Sequence, residues 1–126
     1  MVKSWLIVIA LSGVLSVALG AFGAHSLKGQ VSASMLSAFQ TATYYQMFHT
    51  LALLGIVVLM SQLKAVPRGL VAACFLWFAG IACFSGSLYG IALGGPNWLG
   101  PVTPLGGLLL IMGWLSLLIG SLQLRL

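Results

Sequence analysis

Four long apolar runs, separated by short polar or turn-rich segments, set the pattern of this chain. The first extends from Trp5 to about Phe22 after a short basic start, Met1 to Ser4. The polar segment HSLKGQV (25–31) ends it, and Ser32 or Ser34 then offers an N-cap for a second helix reaching about Gln62. QLKAVPRG breaks the chain again, with Pro67 marking the stop. The third run covers about Gly69 to Leu93. The fourth, Leu105 to Leu122, is entered through GGPNWLGPVTP, with Thr103 as N-cap and Pro104 in the first helical position. Each run is long enough to cross a bilayer. The pattern predicts an all-α integral membrane bundle of four antiparallel helices, over about 4–23, 33–62, 69–94 and 104–124, in one transmembrane domain spanning 1–126.

Polar residues inside these runs mark where protein must face protein, because lipid supplies no water to satisfy them. FQTATYYQMFHTLALL (39–54) holds most of them. On a helical wheel Thr43, Gln46 and Thr50 share one narrow face, with His49 on its shoulder, three residues from Gln46 and four from Tyr45. That face is expected to point into the bundle. Counting about 20 residues back from Met60 puts His49 about 12 Å deep, near the midplane. Ser85 and Tyr89, four apart on the third run, are placed to offer it hydroxyls.

Small residues repeat once per turn on two runs. Ser12, Ser16, Gly20 and Ala24 form a ridge on the first. Ala82, Gly86, Gly90 and Gly94 form a stronger one on the third, flanked by Ala79, Cys83 and Ser87. Such ridges let backbones approach closely, so helix packing is expected along both. The fourth run adds Gly106, Gly107, Gly113 and Gly120.

Composition narrows the chemistry. Of 126 residues 61% are hydrophobic and 4% charged, and Asp and Glu are absent. That absence removes the carboxylate pair of a glycosidase, carboxylate ligands for Mg²⁺ or Ca²⁺, and the membrane carboxylate of proton-coupled exporters. The five Lys and Arg sit singly or as the pair Lys64 and Arg68, so they make no nucleic-acid surface and read as topology signals. Lys3, Lys64, Arg68 and Arg125 fall on one side and Lys28 on the other, which predicts cytoplasmic N- and C-termini. Trp5, Tyr89 and Trp98 fit an interfacial belt. Lys3, an apolar core and small residues from Ala21 to Ala24 also fit a secretory signal peptide. Cleavage would discard a packing ridge, so the first run is expected to remain a span. Cys74 and Cys83, about 13.5 Å apart along one helix and on opposite faces, cannot bridge each other and read as packing residues.

GAFGAHSLK (20–28), FQTATYYQMFHTLALL (39–54), FSGSLYGIAL (84–93) and GPVTPLGGLLLIMGWL (100–115) together resemble the YgdD family. This is a group of small bacterial inner-membrane proteins, a domain of unknown function, similar to a small mitochondrial membrane protein of animals. The resemblance covers nearly the whole chain. It implies a multi-pass inner-membrane protein with His25, Lys28, Gln46 and His49 in the family's characteristic positions, and brings no established activity with it.

His25 and His49 are the conventional catalytic or metal-binding side chains present, and they lie at different depths. A metal or haem site would need His49 from two subunits; no metal and no cofactor are expected. No nucleophile and base pair, phosphate loop or metal cluster is visible, which argues against an enzyme. The reading that follows is an accessory or scaffold subunit, or a homo-oligomer, whose partners are membrane lipid and other membrane chains engaged through the small-residue faces. The alternative is a binder or transporter of a lipid, quinone or small solute. Thr43, Gln46, His49, Thr50 and Tyr89 would line its cavity, and His25 and Lys28 would form an outer rim that attracts an anionic head group.

Overall fold

A computed structural model describes residues 1–124. Arg125, one of the residues counted for topology, lies outside the described residues. The chain is a bundle of four antiparallel helices: α1 (Val2–Phe22), α2 (Ala33–Gln62), α3 (Arg68–Ala92) and α4 (Leu99–Leu122). Each is long and apolar enough to cross a membrane. The backbones pack in chain order, α1 on α2, α2 on α3 and α3 on α4, while α2 and α4 stand apart.

The helix ends follow local chemistry. α1 runs into a π-helical turn, Gly23–Leu27, which buries Leu27 and leaves His25 outside. Gly23 is required there, because a Cβ would stand 2.9 Å from the ring of the fully buried Phe39. Ser32 caps α2, its hydroxyl accepting from Met35 N at 3.2 Å. α3 ends in a glycine cap: Gly94 takes φ +81°, Gly94 N–H bonds Ile91 O, and Gly95 N–H reaches back to Gly90 O at 2.7 Å. Gly94 is therefore a chain-reversing residue, not part of a packing ridge.

α4 begins five residues before the start suggested by Thr103 and Pro104, with Trp98 as N-cap. Pro101 lies in the first turn, where its missing N–H costs no bond. Pro104 sits inside the helix, where it has no N–H to give to the carbonyl of Gly100, four residues back. Thr103, freed from capping, bonds Ser87 Oγ across the α3–α4 seam at 2.6 Å.

That seam is the most extensive contact in the molecule. Residues of α3 meet glycines of α4: Leu70 lies over Gly120 and the Trp77 side chain over Gly113, while Gly106 lies against the backbone of Cys83 and Phe84. Between them the sizes reverse, with Leu110 of α4 filling the space over Gly80. On both helices the contacts recur at seven-residue intervals with a residue between, the spacing of antiparallel coiled-coil packing. Where two glycines coincide, at Gly69 and Gly120, a Cβ on Gly69 would stand 2.6 Å from Gly120 N.

Ala82 and Gly86 of the expected ridge are not part of this seam. Ala82 and Gly86 are exposed, and nothing lies within 4 Å of a Cβ placed on Gly86. Gly90 does pack, at the end of the seam, where the Leu99 side chain of α4 lies 2.6 Å from its Cβ position. On α1, Ser12 and Ser16 do face α2, whereas Gly20 has no neighbour within 4 Å of its Cβ position and Ala24 is exposed. Trp5 is buried edge-on against Phe75 and Phe78, at ring centroid distances of 5.1 and 6.1 Å, so it ties α1 to α3 instead of facing the head groups.

Candidate functional site

The polar residues of α2 divide between two faces. Gln46 and Thr50 point toward α1 and α3. Tyr89 Oη on α3 donates to Gln46 Oε1 at 2.7 Å, and Gln46 Nε2 donates to Ser12 O on α1 at 3.1 Å. Ser12 Oγ lies 2.7 Å from Thr50 Oγ1. One continuous chain of hydrogen bonds thus joins three helices, and both ends of the Gln46 amide are used. Ser85 Oγ adds a further bond, to Ala42 O at 2.8 Å. Thr43 does not join: its hydroxyl donates to Gln40 O on its own helix at 2.8 Å.

His49 is turned about 60° from Gln46 on the wheel and faces α4 instead. Its Nδ1 lies 2.8 Å from Tyr45 O, and Trp114 Nε1–H donates to its Nε2 at 3.1 Å. A carbonyl only accepts, so the hydrogen is on Nδ1, and Nε2 offers its lone pair to the indole. The two bonds assign one neutral tautomer and leave no ring nitrogen free. Tyr45, Phe48, Trp77 and Trp114 surround the imidazole at centroid distances of 5.4–6.2 Å.

Because α2 and α4 do not touch through their backbones, a groove of about 730 Å³ opens between them, with Phe84 of α3 in its wall. Tyr45 packs on Phe84 at 4.5 Å and Phe48 on Trp114 at 6.1 Å, giving two aromatic flanks with His49 between them. Gly107, Leu110 and Ile111 complete the α4 side. The groove opens sideways, between helices, in the direction lipid occupies.

Of the cavity residues read from the sequence, only His49 lines this groove. Gln46, Thr50 and Tyr89 are consumed in the three-helix network, and Thr43 bonds its own helix. His25 and Lys28 are exposed on the α1–α2 turn and do not line it. Trp114 is the residue that sequence reasoning missed. The available signal was depth: Trp114 stands eight residues before the end of α4 and Trp77 nine after the start of α3, well inside the membrane, where an indole N–H needs a partner. Trp114 has one in His49. Trp77 Nε1 is buried without a hydrogen-bond partner, its ring edge against Gly113.

A family model described as "Protein of unknown function (DUF423)" matches residues 19–107, most of the chain. The chain belongs to the DUF423 family. It is 44% identical over 119 residues to a UPF0382 membrane protein of Staphylococcus saprophyticus, covering 94% of this chain and 97% of that one. A UPF0382 membrane protein of Haemophilus influenzae is 41% identical over 121 residues, 96% and 95% of the two chains. The UPF0382 inner membrane protein YgdD of Escherichia coli is 40% identical over 125 residues, 95% and 90%. No solved structure matches. This DUF423 member is a membrane protein of four apolar helices, and the matched segment includes His49 and Tyr89 and ends before Trp114.

Proposed function

We propose that this DUF423 protein acts by binding, holding a lipid-soluble molecule in the groove between α2 and α4 without transforming it. The observation that carries this reading is the groove itself: about 730 Å³, within the size range of ligand sites, largely walled by aromatic rings and open laterally. The pairing of Gln46, Thr50, Tyr89 and His49 with one another and with Ser12, Tyr45 and Trp114 supports a role without chemistry, since these polar groups already serve the fold. The test is mass analysis of the protein extracted gently from its membrane, beside Gly107→Leu, which projects a side chain from the groove wall. A stoichiometric small molecule present in the parent and lost in the variant is the expected result. No molecule, or the same molecule in both, would overturn it.

A second reading, an accessory subunit or homo-oligomer, is favoured by the α3 ridge. Ala82 and Gly86 form a flat outer surface without an intramolecular partner. Gly86→Leu should then release a companion chain. The proposed orientation, with the N-terminus and the α2–α3 loop cytoplasmic, rests on Lys3, Lys64 and Arg68 against Lys28. Reporter fusions to the N-terminus and to the α1–α2 turn test it.

A further inference from the structure

The groove of the preceding reading contains one feature that selects among lipid-soluble molecules. His49 Nε2 and Trp114 Nε1–H, an acceptor and a donor 3.1 Å apart, both belong to its wall. They satisfy each other directly, with His49 fixed in position by its second bond to Tyr45 O and Trp114 half-exposed at the groove face of α4. A hydroxyl fits between such a pair with both bonds replaced, since one oxygen accepts from the indole N–H and donates to the imidazole nitrogen. A carbonyl or ether oxygen answers only the indole and strands His49 Nε2 in an apolar setting.

We propose that the groove takes a lipid-soluble alcohol or phenol whose hydroxyl inserts between Trp114 and His49 and whose apolar body lies against Tyr45, Phe48 and Phe84. Insertion needs the two nitrogens to open to roughly 5 Å, so that two bonds of ~2.9 Å meet at a bent oxygen. Trp114 makes that movement, since it is the exposed member of the pair. The exchange replaces one hydrogen bond with two. A ligand without a hydroxyl lies in the groove with the Trp114–His49 bond left closed and gains no polar contact, so the discrimination is the one hydrogen bond that insertion adds. The aromatic side chains around the opening suit a planar body, which packs at the 4.5–7 Å spacing of aromatic pairs. Bilayer alcohols fall into two sources, ring-bearing phenols or hydroquinones and chain-bearing glycerides. The aromatic walls favour the first.

This inference rests on the groove being a binding site, and the test separates the two. The full chain is reconstituted in phosphatidylcholine nanodiscs and titrated with 4-nonylphenol, with its methyl ether 4-nonylanisole, and with a diacylglycerol, reading tryptophan emission. The expected result is saturable binding of the phenol, about ten-fold weaker binding of the ether, weaker binding of the glyceride, and loss of phenol binding in Gly107→Leu. In His49→Phe the preference for phenol over ether should disappear. Trp114→Phe, which removes the donor and leaves His49 in place, should reduce that preference and serves where the histidine variant fails to fold. Equal, saturable binding of phenol and ether, abolished by Gly107→Leu, would overturn the hydroxyl inference and leave the groove reading standing. Tighter binding of the glyceride would overturn the preference for a ring. Signals that rise without saturation and ignore Gly107→Leu would overturn both readings.

Discussion

Tyr89 on α3 and Gln46 on α2 are joined by a 2.7 Å hydrogen bond that fixes which way the glutamine amide points. Its oxygen receives the phenol, so its nitrogen is turned toward Ser12 on α1. A single side chain therefore sets the rotation of three helices relative to one another.

Replacing Gln46 with Met keeps the volume and removes both interhelical bonds. It leaves the Tyr89 hydroxyl and Ser12 O without those partners inside the membrane. Interhelical hydrogen bonds in membranes average about 0.6 kcal/mol, so Gln46→Met should cost roughly 1–2 kcal/mol and Tyr89→Phe about half of that. The double variant should cost less than the sum of the two, because both singles break the same bond. Reversible unfolding in mixed micelles measures all three, and additive losses would mean that the bond contributes nothing.

Neighbouring glycines on α4 should respond in opposite ways. A Cβ on Gly106 would run into the backbone of Phe84, which cannot yield without separating α3 from α4. A Cβ on Gly107 would meet only the Phe84 ring, at 3.7 Å, an ordinary contact. Gly106→Ala should destabilise by about 1–3 kcal/mol, as overpacking does, and Gly107→Ala should be close to neutral. The same unfolding assay decides between them.

Apolar run length made the spans legible, since a segment that crosses lipid must satisfy its own backbone and can be little but a helix. Which faces meet was less so. Spacing by fours on α3 points to Ala82, Gly86 and Gly90, yet the contact is built on sevens, with Leu70, Trp77 and Phe84 over Gly120, Gly113 and Gly106. Reading that needs two helices aligned against each other, because a glycine means close approach only where the facing helix fills the space over it. The polar face of α2 misled for a related reason. Thr43, Gln46, His49 and Thr50 lie close on the wheel, but hydroxyls also bond their own helix, as Thr43 does. His49, meanwhile, sits at the edge where one neighbour gives way to another.

Gly86 offers a clean test of association. With nothing within 4 Å of its Cβ position, Gly86→Leu should leave the stability of the single chain unchanged, apart from a small gain in helix propensity over glycine. Any loss of assembly would then report on the outer surface alone. Gly90→Leu is a poorer probe, because its Cβ would stand 2.6 Å from Leu99 and disturb the start of α4. Native mass analysis of Gly86→Leu should give an unchanged subunit count if that face meets lipid, and a lower count if it meets protein.

The hydrogen-bond pattern at His49 makes a spectroscopic prediction that needs no ligand. Tyr45 O can only accept, so Nδ1 carries the hydrogen; Nε2 is then a bare acceptor held by the Trp114 indole. Nitrogen NMR of the imidazole should report a protonated Nδ1 and a hydrogen-bonded, unprotonated Nε2. In Trp114→Phe the Nδ1 signal should stay, because its partner lies on the same helix, while Nε2 should move to the position of a nitrogen without a donor. Stability should fall by about 1 kcal/mol, the cost of an acceptor stranded in an apolar setting plus lost contact with the indole. A protonated Nε2 in the parent protein would mean that the indole bond does not form, and with it would go the donor and acceptor pair that the groove presents.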